Sequence, residues 1–297
     1  MKPLTSLLAA TDFSVPSRHA AERAALLAQE TGARLTLLHT LAKPVMDELR
    51  LWLGVGHTAE QQVLADAAQR LQQLADKLAA ARHVAVQTQL ASGAVMEEIG
   101  RQAEAVDAGL LVLGSHGASF LRRIVLGTTS ERLLRCSTRP LLVVKQTPHE
   151  PYRRVLVALD FSPWSMPAIE LARRVAPHAT LVLLAAFELP FDGKLEFAGV
   201  DIQTIAHYRR QAQLNAREQL DALVLQAGLQ PGQWEPCVIE GHAWQRIVEQ
   251  EQECDCDLIV LGKHGQSAAE ALFLGSVTRS VLAESSGDVL VSMARQA

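Results

Sequence analysis

Short apolar runs alternate with longer stretches in which apolar residues recur at helical spacing, and the alternation holds along the whole chain. Residues 6–11 form an apolar run that ends at Asp12 and predicts a first strand. Pro16 falls where a first helical turn accepts it, Ala20, Ala24, Leu27 and Ala28 follow at helical spacing, and Gly32 closes the helix. Residues 35–39 read as a second strand. A loop with Lys43, Pro44, Gly54 and Gly56 leads into a long amphipathic helix over roughly 59–81. Residues 84–90 predict a third strand, whose polar Gln87 and Gln89 suit a sheet edge, and a helix follows Gly93. Residues 110–113 predict a fourth strand running straight into a glycine-rich loop. Gly127-Thr128 then opens another helix, and residues 141–144 complete the half. The second half repeats the plan, with its long helix near 203–227.

Continuous apolar strands separated by helices imply a mainly parallel sheet covered on both faces. With right-handed crossovers this is a doubly wound α/β layer of five strands, which takes ligands outside the carboxyl ends of its strands. Asp12 and Gly114, and Asp160 and Gly262, all stand just past a strand end and so belong to that edge.

The two halves are copies. Gly114-Ser115-His116-Gly117, nine residues, then Gly127-Thr128 recurs as Gly262-Lys263-His264-Gly265, nine residues, then Gly275-Ser276. Ala10-Thr11-Asp12-Phe13-Ser14 returns as Ala158-Leu159-Asp160-Phe161-Ser162, and every pair is separated by the same 148 residues. One constant offset over more than a hundred residues means a duplicated domain. The expected domains are 1–147 and 152–297, joined by a short proline-bearing linker, Thr147-Pro148-His149-Glu150-Pro151.

Bulk composition narrows the function. A chain of 297 residues, 48% hydrophobic and 20% charged, can bury a core in each half. Its formal net charge of −4, with no Lys/Arg tract, argues against nucleic acid as a partner. Four cysteines do not make a disulfide framework, so a reducing, cytoplasmic setting is the expectation. Met1 to Ala10 has the look of a short leader, but its counterpart in the second half is an internal strand. No run of eighteen apolar residues occurs, so no membrane span is expected.

Glycines and hydroxyls at fixed spacing behind an apolar strand suit a phosphate-cradling loop. Backbone N–H groups beside glycine approach phosphate oxygens closely, and a helix opening at Gly127 or Gly275 adds its positive end. Thr128 and Ser276 offer hydroxyls to a phosphate or to a helix cap. Asp12 and Asp160 are placed to hold magnesium through water or to accept from a ribose hydroxyl. The loop is neither a P-loop nor a Gly-x-Gly-x-x-Gly turn. Glycines after a parallel strand also serve the tight turn alone. Their recurrence with an acidic partner favours the binding reading. His116 and His264 read as packing or hydrogen-bonding residues rather than catalytic ones.

The full pattern, with Leu-Val-Leu-Gly before the loop and an early strand ending in Asp, resembles the universal stress protein family over essentially the entire chain. The resemblance implies an adenine-nucleotide α-hydrolase-like fold in tandem, and ATP binding, since in that family the pattern marks the members that bind it. Carried across, Gly114, Gly117, Gly127, Thr128 and Thr129 would hold phosphates and ribose in the first half. Gly262, Gly265, Gly275, Ser276 and Val277 would do so in the second. Asp12 and Asp160 match the acidic strand end, with Ala10, Thr11, Ala158 and Leu159 leading into it. His39, Thr40 and Phe187 fall where the family packs adenine. The family dimerises through its last strand. The edges at 141–145 and 289–292 would therefore pair between domains as an internal pseudo-dimer, with a further homodimer left open.

The copies differ. Arg122 and Arg123 stand in the first spacer where the second has Glu270 and Ala271, which favours the first copy as the better ATP site, although Lys263 replaces Ser115. Cys237, Cys254 and Cys256 are expected near the amino-terminal edge of the second sheet, with Cys237 beginning a strand. Their spacing fits no standard zinc module, and partly buried inert thiols are preferred to zinc ligands or a redox pair. No nucleophile elbow, His-Glu-x-x-His or phosphoryl-transfer clamp is present. The expected function is thus an ATP-binding, stress-responsive regulatory module acting on a protein partner. Slow ATP hydrolysis or nucleotidyl transfer, and a thiol-linked sensor, are the alternatives.

Overall fold

The computed structural model describes residues 3–42, 57–115, 128–189, 201–265 and 274–294. It divides into two compact units, Met1–Pro151 and Tyr152–Ala297.

In the first unit, strands β1 (Ser6–Ala10), β2 (Arg34–Ala42), β3 (Val86–Gly93), β4 (Leu110–Gly114) and β5 (Leu141–Val144) lie in the order β3-β2-β1-β4-β5, every neighbouring pair parallel. Helices α1 (Val15–Thr31), α2 (His57–Arg82), α3 (Val95–Ala105) and α4 (Thr128–Cys136) connect them. The central strands are apolar on both faces: Leu7, Leu35, Leu37, Leu110 and Val112 have no exposed surface. β3 alternates half-buried and exposed positions, as an edge strand does. It starts at Val86, two residues past the expected point, because His83 ends α2 in a left-handed conformation (φ 55°).

The start of α1 follows its residues. The Ser14 side chain accepts from Ser17 N–H, Pro16 occupies the first turn, and Gly32 (φ 72°) donates its N–H to Ala28 O to close the helix. Alanines at 20, 21, 24, 25 and 28, all buried, let α1 approach the sheet closely.

The second unit repeats the order as β8-β7-β6-β9-β10, all parallel, from β6 (Arg154–Leu159), β7 (Thr180–Phe187), β8 (Trp234–Glu240), β9 (Leu258–Gly262) and β10 (Asp288–Ser292). Its helices are α5 (Ser165–Val175), α6 (Ile202–Ala227), α7 (Ala243–Glu253) and α8 (Ser276–Glu284). β8 begins at Trp234, so Cys237 lies in mid-strand rather than at its start. Pro236, tolerated because β8 is an edge strand, had masked the first half of the strand. In each unit the strand order reverses beside the first strand, between β1 and β4 and between β6 and β9. This opens a crevice at the carboxyl edge where Asp12 and Asp160 stand. Among the described residues no helix is long and apolar enough to cross a membrane.

Candidate functional site

The turn after β6 fixes the acidic corner. Phe161 adopts a left-handed backbone (φ 61°), reversing the chain so that Asp160 Oδ1 accepts from Ser162 N–H and from the Ser165 hydroxyl, both at 3.1 Å. Asp160 N–H in turn donates to Ser165 Oγ at 3.3 Å. The first unit uses the same device. Phe13 has φ 63°, Ser14 N–H donates to Asp12 Oδ1 at 3.0 Å, and Asp12 N–H donates to Ser17 Oγ at 3.3 Å.

The glycine loop of the second unit is built against that corner. A Cβ on Gly262 would sit 2.7 Å from Trp164 Cβ, and one on Gly114 would sit 2.7 Å from the backbone of Pro16. The first glycine of each motif therefore makes room for the start of the helix that follows the first strand of its unit, α1 or α5, which is a packing role. Gly265 is different: its absent Cβ would lie 2.8 Å from Asp160 Oδ2, so the loop backbone passes directly over the carboxylate. Gly275 N–H donates to Lys263 O at 3.0 Å, closing the ends of the nine-residue spacer, and Thr278 Oγ1 donates to Gly262 O at 2.9 Å. Ser130 makes the matching bond to Gly114 O at 3.1 Å.

These elements enclose a pocket of ≈ 930 Å³, within the size range of small-molecule sites. The first turns of α5, α7 and α8 all reach it, through Trp164 and Ser165, Ala243 and Ile247, and Ser276 to Thr278. The N-cap residues of α7 and α8, His242 and Gly275, cap their helices with no side chain of their own, whereas at α5 the Trp164 N–H donates to Ser162 Oγ at 3.3 Å. Leading N–H groups of a helix have no intrahelical acceptor, and the starts of α7 and α8 both line this cavity. Leu184, Ala186 and Leu261 also line the pocket, as does Glu188, which accepts from His242 Nδ1 at 3.0 Å. His264 is buried with its ring 5.1 Å from that of Trp164. The lining thus combines apolar side chains, the starts of two helices without side-chain caps, and the Asp160 carboxylate held by Ser162 and Ser165.

Of the residues singled out in the second half, Ala158, Leu159, Asp160, Gly262, Gly265, Gly275, Ser276 and Val277 line this pocket. Phe187 does not. Its neighbours Ala186 and Glu188 face the cavity, and successive strand residues point to opposite faces. Trp164 and Ser165 also line the pocket and carry no sequence signal of a site, since their counterparts Pro16 and Ser17 read only as the start of a helix. In the first half, Ala10, Thr11, Asp12, His39, Thr40 and Gly114 gather at the carboxyl ends of β1, β2 and β4. His39 donates from Nδ1 to Thr11 O at 2.7 Å and stacks on Phe13 at 4.4 Å. Thr40 Oγ1 is buried and has no hydrogen-bond partner among the described residues. Thr128 and Thr129 begin α4, while Gly117, Gly127, His116, Arg122, Arg123, Glu270 and Ala271 lie outside the described residues.

The three second-unit thiols sit away from the pocket. Cys237 and Cys254 both donate to Gln250 Oε1, at 3.4 and 3.6 Å, and Cys256 is buried beside them. Burial pushes the Cys237 thiol up to about 11 and the Cys256 thiol up to about 12. Among the described residues no three His, Cys, Asp or Glu side chains form a group able to hold a metal.

Comparison with known proteins agrees with the duplicated fold. The model of the universal stress protein family matches twice, over residues 4–145 and 151–292. A universal stress protein of Mycobacterium tuberculosis is 28% identical over 203 residues, covering 66% of this chain and 64% of its own length. The chain thus spans less than two thirds of that relative. One from Mycolicibacterium smegmatis is 25% identical over 297 residues, covering 96% of each chain. The crystal structure of a universal stress protein from Archaeoglobus fulgidus superposes with a TM-score of 0.68 at 22% identity, covering 96% of this chain and 97% of that one.

Proposed function

This chain belongs to the universal stress protein family, and we propose that it is a nucleotide-dependent regulatory module that binds ATP at the carboxyl edge of its sheets. One observation carries the reading: the N-terminus of α8, with no side-chain cap, opens into a ≈ 930 Å³ pocket directly beside Asp160. Uncapped N–H groups and a positive helix end suit a polyphosphate. The Gly265 cradle over Asp160 is closed to any side chain, which supports a close approach of backbone to ligand. The apolar wall of Leu184, Ala186 and Leu261 suits a planar base, and Asp160 suits a ribose hydroxyl or a magnesium-bound water. In the first unit the buried Thr40 hydroxyl, which has no partner among the described residues, supports a second ligand position, since position 40 corresponds to pocket-lining Glu188. ATP occupancy would then set the affinity for a protein partner. Slow hydrolysis is the second reading, favoured by the rigid hold on Asp160, which could orient a water.

Calorimetric titration of the nucleotide-free chain with ATP, with and without magnesium, tests this. Two equivalents per chain are expected, falling to one with either Gly127→Val or Gly275→Val. Absence of binding would overturn the reading. Steady phosphate release at saturating ATP would move the protein to the hydrolytic class.

A further inference from the structure

The thiol group of the second unit is more closely organised than its sequence spacing suggests. β8 delivers Cys237 and the end of α7 delivers Cys254, from points seventeen residues apart in sequence. Both sulfurs donate to the same oxygen, Gln250 Oε1, at 3.4 and 3.6 Å. Two sulfurs that donate to one atom are near neighbours, and a rotation about χ1 at either residue is the motion that would bring them to bonding distance. Both residues are partly accessible, whereas Cys256 is buried. Arg154 frames the pair. Its Nε donates to Cys254 O at 2.8 Å, and its two terminal nitrogens hold Glu235, two residues before Cys237 in β8, at 3.2 and 2.8 Å. Arg154 thus ties the backbone at Cys254 to Glu235 of β8, holding the end of α7 against the strand that carries Cys237. The first unit has Gln89 and Val106 at the matching positions, so the arrangement belongs to the second unit alone.

We infer that Cys237 and Cys254 form a redox-modifiable dithiol that closes to an intramolecular disulfide when a hydroperoxide reaches it. The Cys254 thiolate attacks the peroxide oxygen. The S–O bond forms as the O–O bond breaks, and the leaving alkoxide or hydroxide takes a proton, giving a sulfenic acid. The Cys237 sulfur then attacks the Cys254 sulfur. The S–S bond forms as the S–O bond breaks, and hydroxide leaves with the Cys237 proton as water. Two thiols and one hydroperoxide give one disulfide, one alcohol (or water) and one water. Cys237, whose thiol is pushed up by burial, fits the resolving role rather than the attacking one. Cys256 and Cys136 stay outside the reaction. The bridge would tie the end of α7 to the sheet edge at β8.

The test treats the full chain with hydrogen peroxide and maps the products by peptide mass spectrometry without reduction, alongside a count of free thiols. The expected result is a loss of two hydrogens linking the Cys237 and Cys254 peptides within one chain, with the thiol titre falling from four to two. Cys237→Ser or Cys254→Ser should abolish the linked peptide, and Cys256→Ser or Cys136→Ser should leave it intact. Circular dichroism of each variant separates lost chemistry from lost folding. A link through Cys256, a link only between chains, or oxygen adducts with no linked peptide in the folded wild type would each overturn the inference.

Discussion

Gly114→Ala isolates the packing role of the first motif glycine from any role in binding. The added methyl would lie 2.7 Å from both Pro16 C and Pro16 O and 2.9 Å from Ser17 N. All three are backbone atoms at the start of a helix that is capped by Ser14 and buried along its inner face, so none can swing aside as a side chain would. Overpacking of this kind costs about 1–3 kcal/mol. The backbone at Gly114 is not in the left-handed region, so alanine also restricts the unfolded chain, which returns about 0.4–1 kcal/mol. The net expectation is a loss of about 1–2 kcal/mol. For a unit of this size that lowers Tm by roughly 2–8 °C. Gly100→Ala supplies the control with the same chemical change: Gly100 lies inside α3 with nothing within 4 Å of its would-be Cβ. There alanine should raise stability by about 0.8–1 kcal/mol through helix propensity. Thermal melts of the nucleotide-free chain, followed by circular dichroism, read both. If Gly114→Ala melts at or above the wild-type temperature while losing nucleotide affinity, the packing account is wrong and Gly114 is a ligand residue.

Other consequences follow from single contacts. Tyr152→Phe removes the 2.6 Å bond from the buried Tyr152 hydroxyl to the fully buried Asp288 carboxylate and should cost about 1.5–3 kcal/mol in urea denaturation. Asp201 caps α6 by accepting from Thr204 N–H and the Thr204 hydroxyl, and the hydroxyl bond holds its carboxyl below the ordinary range. Because its folded pKa is depressed, the cap contributes fully above the unfolded value and is lost as pH falls through the folded one. The Thr204 amide resonance should therefore move upfield only in that acidic window, and Asp201→Asn should remove the transition. Iodoacetamide at pH 8 should modify exposed Cys136 well before Cys237 or Cys256, whose thiols burial raises to about 11 and 12. Mass-spectrometric site occupancy against time checks the order.

Sequence pattern revealed the fold where burial leaves no freedom and lost it where burial is partial. β1, β4, β6 and β9 are covered on both faces, so their apolar runs are continuous and their limits readable. β3 and β8 are half-exposed edges in which polar residues and Pro236 are tolerated, and their starts were misplaced for that reason. The site divides in the same way. Asp160, Gly265 and Gly275 were legible because duplication marks them twice. Phe187 rests on the family resemblance alone, and Ala186 and Glu188 on either side of it line the pocket, a parity that a count along the sequence does not supply. Ser276 offered a hydroxyl as a cap, yet Gly275 takes the N-cap position and leaves the helix end open to the pocket. The meeting of the starts of α7 and α8, neither with a side-chain cap, is a property of the assembled crevice, and no local motif encodes it.

The two units keep the same backbone device and vary the walls around it. A left-handed phenylalanine follows the aspartate in both, at φ 63° and 61°, and such a conformation costs of order 1–3 kcal/mol in a residue with a side chain. Each copy recovers part of this cost through the N–H bond to the aspartate two residues earlier and the serine at the start of the next helix. Holding the carboxylate in one orientation is therefore common to both sites and cannot distinguish their ligands. The distinguishing positions are those where the copies part: Pro16 against Trp164, and Thr40 with its buried hydroxyl against Glu188 with His242. Exchanging Thr40 and Glu188 between the units, with ATP affinity measured at each site, should move any difference in affinity with the side chain. A difference that stays with the unit would assign it to the glycine spacers instead.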